Sequence, residues 1–380
     1  MSLDEGKPFR RGKRDPSVDR VRATARSFTA RAIHGVKGCY QRGKCQDKAD
    51  SPSILRESGW NLRRMMRQRG SGTRETRTFS APRAMTLDVI LFTSPKAGSG
   101  AAREQLPRLA EMLAAAGIEY QRIACPRELN AVVTRRRETG VSQPVVVAAG
   151  GDGTISLVAS STFPETPLLP MPMGTENLLA RYLGQSNDAG AVMKTLTDGR
   201  AVQIDAGEAN GRLFLIMATA GFDAEVVRRV HLRRKGHIRR HSYLKPIWQT
   251  CRAYQFPAIR VTAIDVNGEV IQQRQVGWAM AFNLPCYAAG LRIHPSATGD
   301  DGNLDLITFA GRGLLSGFGY ALGIVTGMHR RFASVQENHV LSLRFESDQR
   351  VAYELDGDYA GRLPLEIKTL PQRVRLLVSG

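Results

Sequence analysis

VVVAAGGDGTISLVAS, at residues 145–160, sets five apolar residues directly before the run Gly150-Gly151-Asp152-Gly153-Thr154. The Val-rich part predicts a buried strand, and the residues after the glycines predict a helix. Ligands of open parallel sheets bind beyond the carboxyl ends of strands, where glycine lets the backbone approach closely. A helix N-terminus carries partial positive charge, which suits phosphate. The stretch therefore predicts a phosphate-binding turn; a tight strand–helix connection without a ligand is the simpler alternative.

Asp152, the aspartate in this turn, makes the predicted kind of ligand more specific. Asp152 and a phosphate are both anionic, so Asp152 either needs a cation between them, for which Mg²⁺ fits best, or holds a neighbouring group in place. Thr154 can donate a hydrogen bond to a phosphate oxygen. The turn matches neither G-x-x-x-x-G-K-[ST] nor G-x-G-x-x-G. We therefore predict a cradle for a nucleotide polyphosphate that is assisted by a metal ion.

Two other predicted strand ends carry glycines together with hydroxyl or amide side chains. They are TSPKAGSG (93–100) and PMGTENLLARYLG (172–184). Because the carboxyl ends of parallel strands share one edge of a sheet, the three turns are expected to converge. The residues predicted to form the nucleotide site are Gly98, Ser99 and Gly100 in the first turn, Gly150, Gly151, Asp152, Gly153 and Thr154 in the second, and Gly174, Thr175 and Asn177 in the third.

The order of strand-like and helix-like runs predicts two domains. Strands alternate with helices over residues 85–200, which predicts an α/β domain with a parallel sheet. Strand-like runs and two Asn-Gly turns, at Asn210 and Asn267, predict a β-rich antiparallel sandwich or barrel over residues 201–380. LLSGFGYALGIVTGM (314–328) predicts a helix packed on this second domain, with contact to a membrane or an acyl chain as the alternative.

The charge of the chain is concentrated near its N-terminus. The net charge is +19, and residues 1–84 hold 21 Lys and Arg against 8 Asp and Glu. This segment lacks apolar periodicity, so we expect it to be mostly disordered. Since MTLDVILFT opens directly on a strand, Met85 is the natural start on the simplest interpretation. A basic arm that binds nucleic acid or anionic lipid is the alternative.

The remaining composition points to the cytoplasm. The five cysteines are scattered without metal-ligand spacing, which favours a reducing compartment. No run reaches the roughly 18 apolar residues of a membrane span, and the N-terminus lacks the apolar core of a signal peptide.

The three turns resemble the motifs of the diacylglycerol kinase catalytic domain family, which includes bacterial lipid kinases, sphingosine kinases and ceramide kinase. The family pattern N-P-x-[AS]-G, G-G-D-G-T and P-x-G-T-x-N-x-[FL]-A-R is similar to residues 94–98, 150–154 and 172–181. The resemblance covers about residues 90–380 in the right order. It continues in FLIMATAGFDAEVV (214–227), ATGDDGNLDLITF (297–309) and LDGDYAGRLPLEIKTLP (355–371).

The resemblance implies roles for individual residues. ATP would lie across Gly150–Ser156 and near Thr175. Asp358 matches the family's proton acceptor, and Asp356 would touch the nucleotide or its metal; with Asp152 they are the predicted catalytic carboxylates. A structural Mg²⁺ of bacterial members would map to the side chain of Asp301 and to backbone oxygens of Thr298 and Asn303.

Four sites depart from the family pattern: three single positions, and the turn NLPCYAAG (283–290), which is usually glycine-rich in the family. Ser94 replaces the usual Asn, Cys125 a frequent Thr, and Leu178 a common Asp. These departures put the substrate and the rate in question more than ATP binding.

We therefore expect an ATP-dependent lipid kinase that acts peripherally on an anionic (inner) membrane surface, with no specific nucleic-acid partner. RRVHLRRKGHIRRH (228–241), with seven Lys and Arg, is either a membrane-docking element or a solvated helix face. One alternative is an NAD kinase, which shares GGDGT but is disfavoured by the segments around Asp301 and Asp358. Another is a non-catalytic protein that binds nucleic acid or an anionic surface through residues 1–84.

Overall fold

A computed structural model describes residues 87–93, 102–140, 143–233 and 244–380. The predicted N-terminal extension, Ser94, the predicted nucleotide-site residues Gly98, Ser99 and Gly100, and residues 234–241 of the basic run lie outside these residues.

The N-terminal half alternates strands with helices, as predicted. Its elements are β1 (Val89–Thr93), α1 (Ala102–Ala115), β2 (Tyr120–Ile123), α2 (Pro126–Glu138), β3 (Val145–Gly150), α3 (Asp152–Ser160), β4 (Pro167–Pro172), α4 (Leu178–Tyr182) and α5 (Ala189–Asp198). The four strands are parallel and lie in the order β4-β3-β1-β2. Every residue of β3 is buried, which explains why its sequence is continuously apolar rather than alternating.

The C-terminal half is β-rich. Its elements are β5 (Arg200–Ala209), β6 (Arg212–Phe214), β7 (Met217–Ala220), α6 (Phe222–Leu232), α7 (Leu244–Ala253), β8 (Ile259–Asp265), β9 (Val270–Val276), β10 (Trp278–Phe282), β11 (Leu304–Phe309), α8 (Leu314–Thr326), β12 (Val335–Glu346), β13 (Ala352–Leu355), β14 (Asp358–Arg362) and β15 (Leu365–Val378). Nearly all pairings in this half are antiparallel, and alternate residues of its strands enclose a second apolar core. The predicted fold class, α/β followed by β-rich, is confirmed.

The predicted Asn-Gly turns both form, but one predicted strand is interrupted. Asn210 and Gly211 have φ values of 48° and 80°, and they join β5 to β6. The run after this turn was expected to continue as one strand to residue 220. Instead it breaks at Leu215 and Ile216, whose backbone N–H groups bind the carboxylate of Asp356. A buried side chain that comes much later in the sequence therefore decides where the strand ends.

Strand β15 joins the two halves. It pairs antiparallel with β12 and β5, and its last residues pair in parallel with β4, so that Leu376 lies opposite Leu168. Both leucines are buried in one apolar core that also contains Phe282 from the C-terminal half. The continuous sheet and the shared core thus fix the half that carries the glycine turns against the C-terminal half.

Helix α8 is present as predicted, although only part of it is packed. Tyr320 and Ile324 are buried, whereas Leu315 and Phe318 are exposed. Within the described residues, no helix is long and apolar enough to cross a membrane.

The connection through β15 yields a test of stability. Leu376→Ala removes a fully buried side chain from the shared core, so we expect the free energy of unfolding to fall by about 2–5 kcal/mol. Arg375→Gln, at the exposed neighbouring position, should change it by less than about 0.5 kcal/mol. Urea denaturation followed by circular dichroism measures both. Equal stabilities of the two variants would show that β15 does not anchor the first half.

Candidate active site

The turn after β3 is held in a form that only glycine permits. Gly151 lies directly before α3 with extended backbone, and its carbonyl accepts hydrogen bonds from the N–H groups of Thr154 and Ile155. At Gly150 the side chain of Thr154 occupies the space that a Cβ would need. The first turn of α3 consequently folds back over the end of β3, with Gly153 exposed at the tip.

The turn after β4 packs against the first turn. A Cβ on Gly174 would lie 2.7 Å from the Cα of Gly151, so the two glycines are in backbone contact. Asn177 adopts a left-handed conformation with φ of 49°. Its side chain accepts from the Gly174 N–H at 2.8 Å and donates to the Gly174 carbonyl at 2.9 Å. Two of the three predicted turns therefore meet at one edge of the sheet, and Thr175 is exposed between Gly174 and Asn177.

Asp152 connects these two turns. Its carboxylate oxygens accept hydrogen bonds from the N–H groups of Leu178 at 2.9 Å and Leu179 at 3.0 Å, at the start of α4. The pKa of Asp152 is raised to about 6: burial is the main cause, the nearby Asp356 carboxylate also raises it, and the two hydrogen bonds partly offset the rise. The geometry favours the second of the two roles expected for Asp152, which is to hold a neighbouring group in place.

Asp356 is buried and accepts four hydrogen bonds from within the chain. Its carboxylate accepts from the N–H groups of Leu215, Ile216 and Met217 at 2.8–3.1 Å, and from the Ser156 hydroxyl at 2.6 Å. Burial raises the pKa of Asp356, and these four hydrogen bonds oppose the rise. The structure thus gives Asp356 four partners within the chain, and its contact with the nucleotide or its metal stays a prediction. Ser156, expected at the nucleotide, is likewise buried and bonded to Asp356.

Asp358 is placed differently from the other two aspartates. It is exposed at the start of β14, two residues after the buried Asp356. A Cβ on Gly153 would lie 2.8 Å from its Oδ2, so the carboxylate reaches over the first turn of α3. The C-terminal half thus brings an acidic side chain to the glycine turn, at the end of a helix whose dipole attracts negative charge.

Sequence reasoning missed the carboxylate that supports this turn. Glu354 is buried; one of its oxygens accepts from the Gly357 N–H at 2.6 Å and the other accepts from the Thr219 hydroxyl at 3.0 Å. The same hydroxyl oxygen, which has only one hydrogen to donate, also lies 2.6 Å from a carboxylate oxygen of Asp223. Burial raises the pKa of Glu354 well above its usual range, and the Asp223 carboxylate adds to the rise. The acidic residue in the otherwise apolar run VAYEL was the one signal for it in the sequence.

The predicted metal segment is an acidic turn. Asp301 is exposed, and its Oδ1 accepts from the Asn303 N–H at 3.0 Å. Behind it lies Asp205, fully buried, which accepts from the N–H groups of Gly302 and Gln372 at 2.6 Å each. Burial raises the pKa of Asp205 to about 6, and repulsion by Asp301 and Asp300 contributes. No motif pointed to Asp205.

These residues form a hard-oxygen environment rather than a ready-made cluster of ligands. In the described ranges, no group of three or more His, Cys, Asp or Glu side chains is placed to hold a metal ion. The set predicted for Mg²⁺ contains one carboxylate and two backbone oxygens, from Asp301, Thr298 and Asn303. Such a set and the acidic surroundings fit the preference of Mg²⁺ for oxygen ligands.

Comparison with known proteins identifies the class. A family model for the diacylglycerol kinase catalytic domain matches residues 88–209, and one for the YegS C-terminal NAD kinase β-sandwich-like domain matches residues 216–378. Together they span both halves of the fold, which places the chain among kinases. Residues 88–209 belong to the diacylglycerol kinase catalytic domain family, and residues 216–378 belong to the family of the YegS C-terminal domain.

Individual relatives agree with this assignment. A diacylglycerol kinase of Staphylococcus haemolyticus is 26% identical over 293 residues, covering 75% of this chain and 86% of its own length. One from Staphylococcus carnosus is 25% identical over 293 residues, covering 75% of this chain and 93% of its own. A crystal structure of a candidate diacylglycerol kinase from Bacillus anthracis shares the fold, with a TM-score of 0.59, 19% identity, and coverage of 78% of this chain and 99% of that one.

The contact between the two turns gives the first prediction at this site. Gly174→Ala would force a Cβ to within 2.7 Å of the Gly151 backbone, whereas Gly151→Ala leaves 3.4 Å to the Gly174 Cα. We expect G174A to lower the free energy of unfolding by about 1–3 kcal/mol and G151A to lower it less. Chemical denaturation of both variants measures this. A G151A variant as unstable as G174A would contradict the observed packing.

A second prediction concerns Asp152 and pH. Because its pKa is raised in the folded state, the folded protein binds this proton more tightly than the unfolded chain does. The stability that the neutral carboxyl contributes is therefore lost as the pH rises from about 4 to about 6. Asp152→Asn stays neutral throughout. We expect the free energy of unfolding of the wild type, minus that of D152N, to fall over this range and to level off at higher pH.

The measurement is urea denaturation of both proteins at several pH values, with a chelator present. Titrating groups that do not interact with Asp152, such as Asp205, cancel in the difference. A difference that rises with pH would mean that the folded state stabilises the charged form of Asp152.

Proposed function

We propose that this chain transfers the γ-phosphate of ATP to a lipid hydroxyl and that Asp358 accepts the proton of that hydroxyl. The observation that carries the proposal is the approach of Asp358 Oδ2 to Gly153, at the tip of the glycine turn. Membership of the diacylglycerol kinase catalytic domain family supports the kinase activity itself.

The two glycine turns bind the phosphates in this proposal. Gly151, Gly153 and Gly174 let the backbone approach the phosphate oxygens, and the N-terminus of α3 adds partial positive charge. The hydroxyls of Thr154 and Thr175 can donate further hydrogen bonds. The turn with Gly98, outside the described residues, completes the set as the sequence predicts it.

The reaction needs a base opposite the phosphates. As the lipid oxygen forms its bond to the γ-phosphorus, the bond from that phosphorus to the β,γ-bridging oxygen breaks, and ADP leaves with the electron pair. The hydroxyl proton passes to the Asp358 carboxylate, which is exposed and so accessible to a lipid that approaches from solvent or a membrane.

Two buried carboxylates, Asp356 and Glu354, and the half-buried carboxylate of Asp152 position these groups. Asp356 fixes the turn that carries Asp358, and Glu354 fixes the N–H of Gly357 in the same turn. Asp152 fixes the start of α4 beside Gly174 and Asn177. Their hydrogen bonds to backbone N–H groups make these three acids positioning residues.

Mg²⁺ would be held by Asp301 with backbone oxygens of Thr298 and Asn303. When bound, this ion would offset the negative charge of the acidic turn around Asp205, Asp300 and Asp301.

The acceptor we propose is a diacylglycerol-like or sphingoid lipid. The Staphylococcus relatives are named diacylglycerol kinases, and they cover most of this chain. The departure at Leu178 from the family's usual Asp lies beside the phosphate turns, where it bears on the rate.

The decisive variant is Asp358→Asn. We expect kcat for lipid phosphorylation to fall by about 10²–10⁴-fold because the base is lost, while ATP binding stays within about threefold. Radioactive ATP, a total lipid extract and thin-layer separation measure turnover and show which lipid is labelled. Asp348→Asn, at an exposed aspartate in the β12–β13 turn, is the matched control and should keep wild-type activity.

Gly153→Ala provides an independent test of the contact between Gly153 and the Asp358 carboxylate. Its Cβ would meet only the end of the Asp358 side chain, so the fold should persist while the carboxylate is displaced and kcat falls. Wild-type turnover in D358N would remove Asp358 from the mechanism. Conversion of NAD to NADP in place of lipid labelling would replace the proposed activity with that of an NAD kinase.

A further inference from the structure

Helix α8 has its large apolar side chains on the outside. Leu315 is 89% exposed and Phe318 is 70% exposed, and Leu322 and Val325 continue the same stripe at spacings of three and four residues. Helices of globular proteins normally bury such a stripe in the core. We call the following residues the α8 face: Leu314, Leu315, Phe318, Leu322, Val325 and Met328, all more than 45% exposed.

The inward side of α8 shows why the stripe cannot simply turn over. Gly317 lies directly against the ring of Phe256, which leaves no room for a Cβ, and a Cβ on Gly323 would lie 2.6 Å from the ring of Phe332. The Tyr320 hydroxyl accepts from the Gly311 N–H and donates to Ser334. Small residues and one anchored tyrosine therefore fix the rotation of the helix with its large side chains outward.

The α8 helix itself is uncharged, and an exposed arginine lies on each side of it in the sequence. No charged residue occurs from Gly313 to Met328, while Arg312 precedes the helix and Arg331 follows it, both exposed. A second exposed apolar side chain, Trp248 on α7, has the guanidinium of Arg252 at 4.6 Å from its ring centre.

The same aromatic cluster supports α7 and α8. Phe256, which packs on α8, also stacks on Phe222 of α6 with ring centres 5.7 Å apart. Tyr254, just after α7, contacts both rings. Helix α6 in turn reaches the strand that carries the proposed base, since His231 lies 5.8 Å from the ring of Tyr359, next to Asp358.

We propose that the α8 face enters the head-group region of an anionic lipid bilayer, with Arg312 and Arg331 at the lipid phosphates. An apolar stripe at helical spacing flanked by cations is what such an interface binds. This inference rests on the proposed function insofar as a bilayer would supply the substrate, but the docking surface is a separate property of the fold.

A second copy of this chain is the less suitable occupant. A twofold pairing of α8 with itself would run antiparallel and set Arg312 of one copy near Arg331 of the other. A parallel pairing would bring the same arginines together. Both arrangements juxtapose like charges, which an anionic surface neutralises instead.

The test compares two charge-matched double variants. Leu315→Asp/Phe318→Asp places two carboxylates on the α8 face. Val266→Asp/Leu341→Asp places two at exposed apolar positions, one in the β8–β9 turn and one on β12, with exposures of 47% and 37%. Sedimentation with vesicles of equal phosphatidylglycerol and phosphatidylcholine should show tight binding of the wild type and the control. The α8 variant should bind about tenfold more weakly or worse. Thermal denaturation verifies that each variant is folded.

A soluble assay separates this proposal from the kinase assignment. With monomeric dioctanoylglycerol and ATP, the α8 variant should turn over like the wild type, since the face is outside the reacting groups. Absence of the wild type from the vesicle pellet would overturn the docking surface and leave the kinase proposal to the soluble assay. Vesicle binding by a wild-type protein that phosphorylates no lipid would support the docking surface and contradict the kinase proposal. A wild-type dimer that L315D/F318D turns into a monomer, with vesicle binding unchanged, would assign the α8 face to a second copy.

Discussion

The hydrogen bonds around the buried Asp356 carboxylate connect the reactive parts of this molecule. Three backbone N–H groups at the break between β6 and β7 and the hydroxyl of Ser156 on α3 converge on two oxygen atoms. The carboxylate therefore determines where one strand ends, where α3 lies, and where the turn to Asp358 begins. Each buried donor left without its acceptor would cost about 1–3 kcal/mol, so the arrangement holds as a unit.

Burial divides the acidic residues of the site by role. Asp152, Asp356 and Glu354 are enclosed and bound to backbone N–H groups, which suits them to hold turns in place. Asp358 is exposed and free of such enclosure, although it lies only two residues from Asp356. Two aspartates in one D-G-D run thus differ because one points into the joint between the halves and the other points out of it.

Sequence patterns were sufficient for the fold class and for two of the three glycine turns, because glycine placement and strand–helix alternation are local properties. They also predicted that Asp152 holds a neighbouring group, as one of two alternatives. Patterns could not show that Asp356 and Ser156 bind each other, since that contact joins distant parts of the chain. The sequence did not predict the roles of Asp205, Asp223 and Glu354 for a related reason. The role of a buried carboxylate can be recognised only when its hydrogen-bond partners are known. The exposure of Leu315 and Phe318 depends on which side of α8 meets Phe256, which periodicity alone leaves open.

The placement of β15 has a consequence for how the chain acquires its structure. Strand β4 obtains its outer neighbour from residues 375–376, after every other strand has been made. Until then, a ribosome-bound chain would present an open edge of a parallel sheet, the kind of edge that recruits other unfolded chains. Synthesis of the phosphate-binding half alone would therefore yield an incomplete, aggregation-prone fragment. Because β15 and β4 are far apart in the sequence, their pairing is expected to be slow and to be the final event of folding.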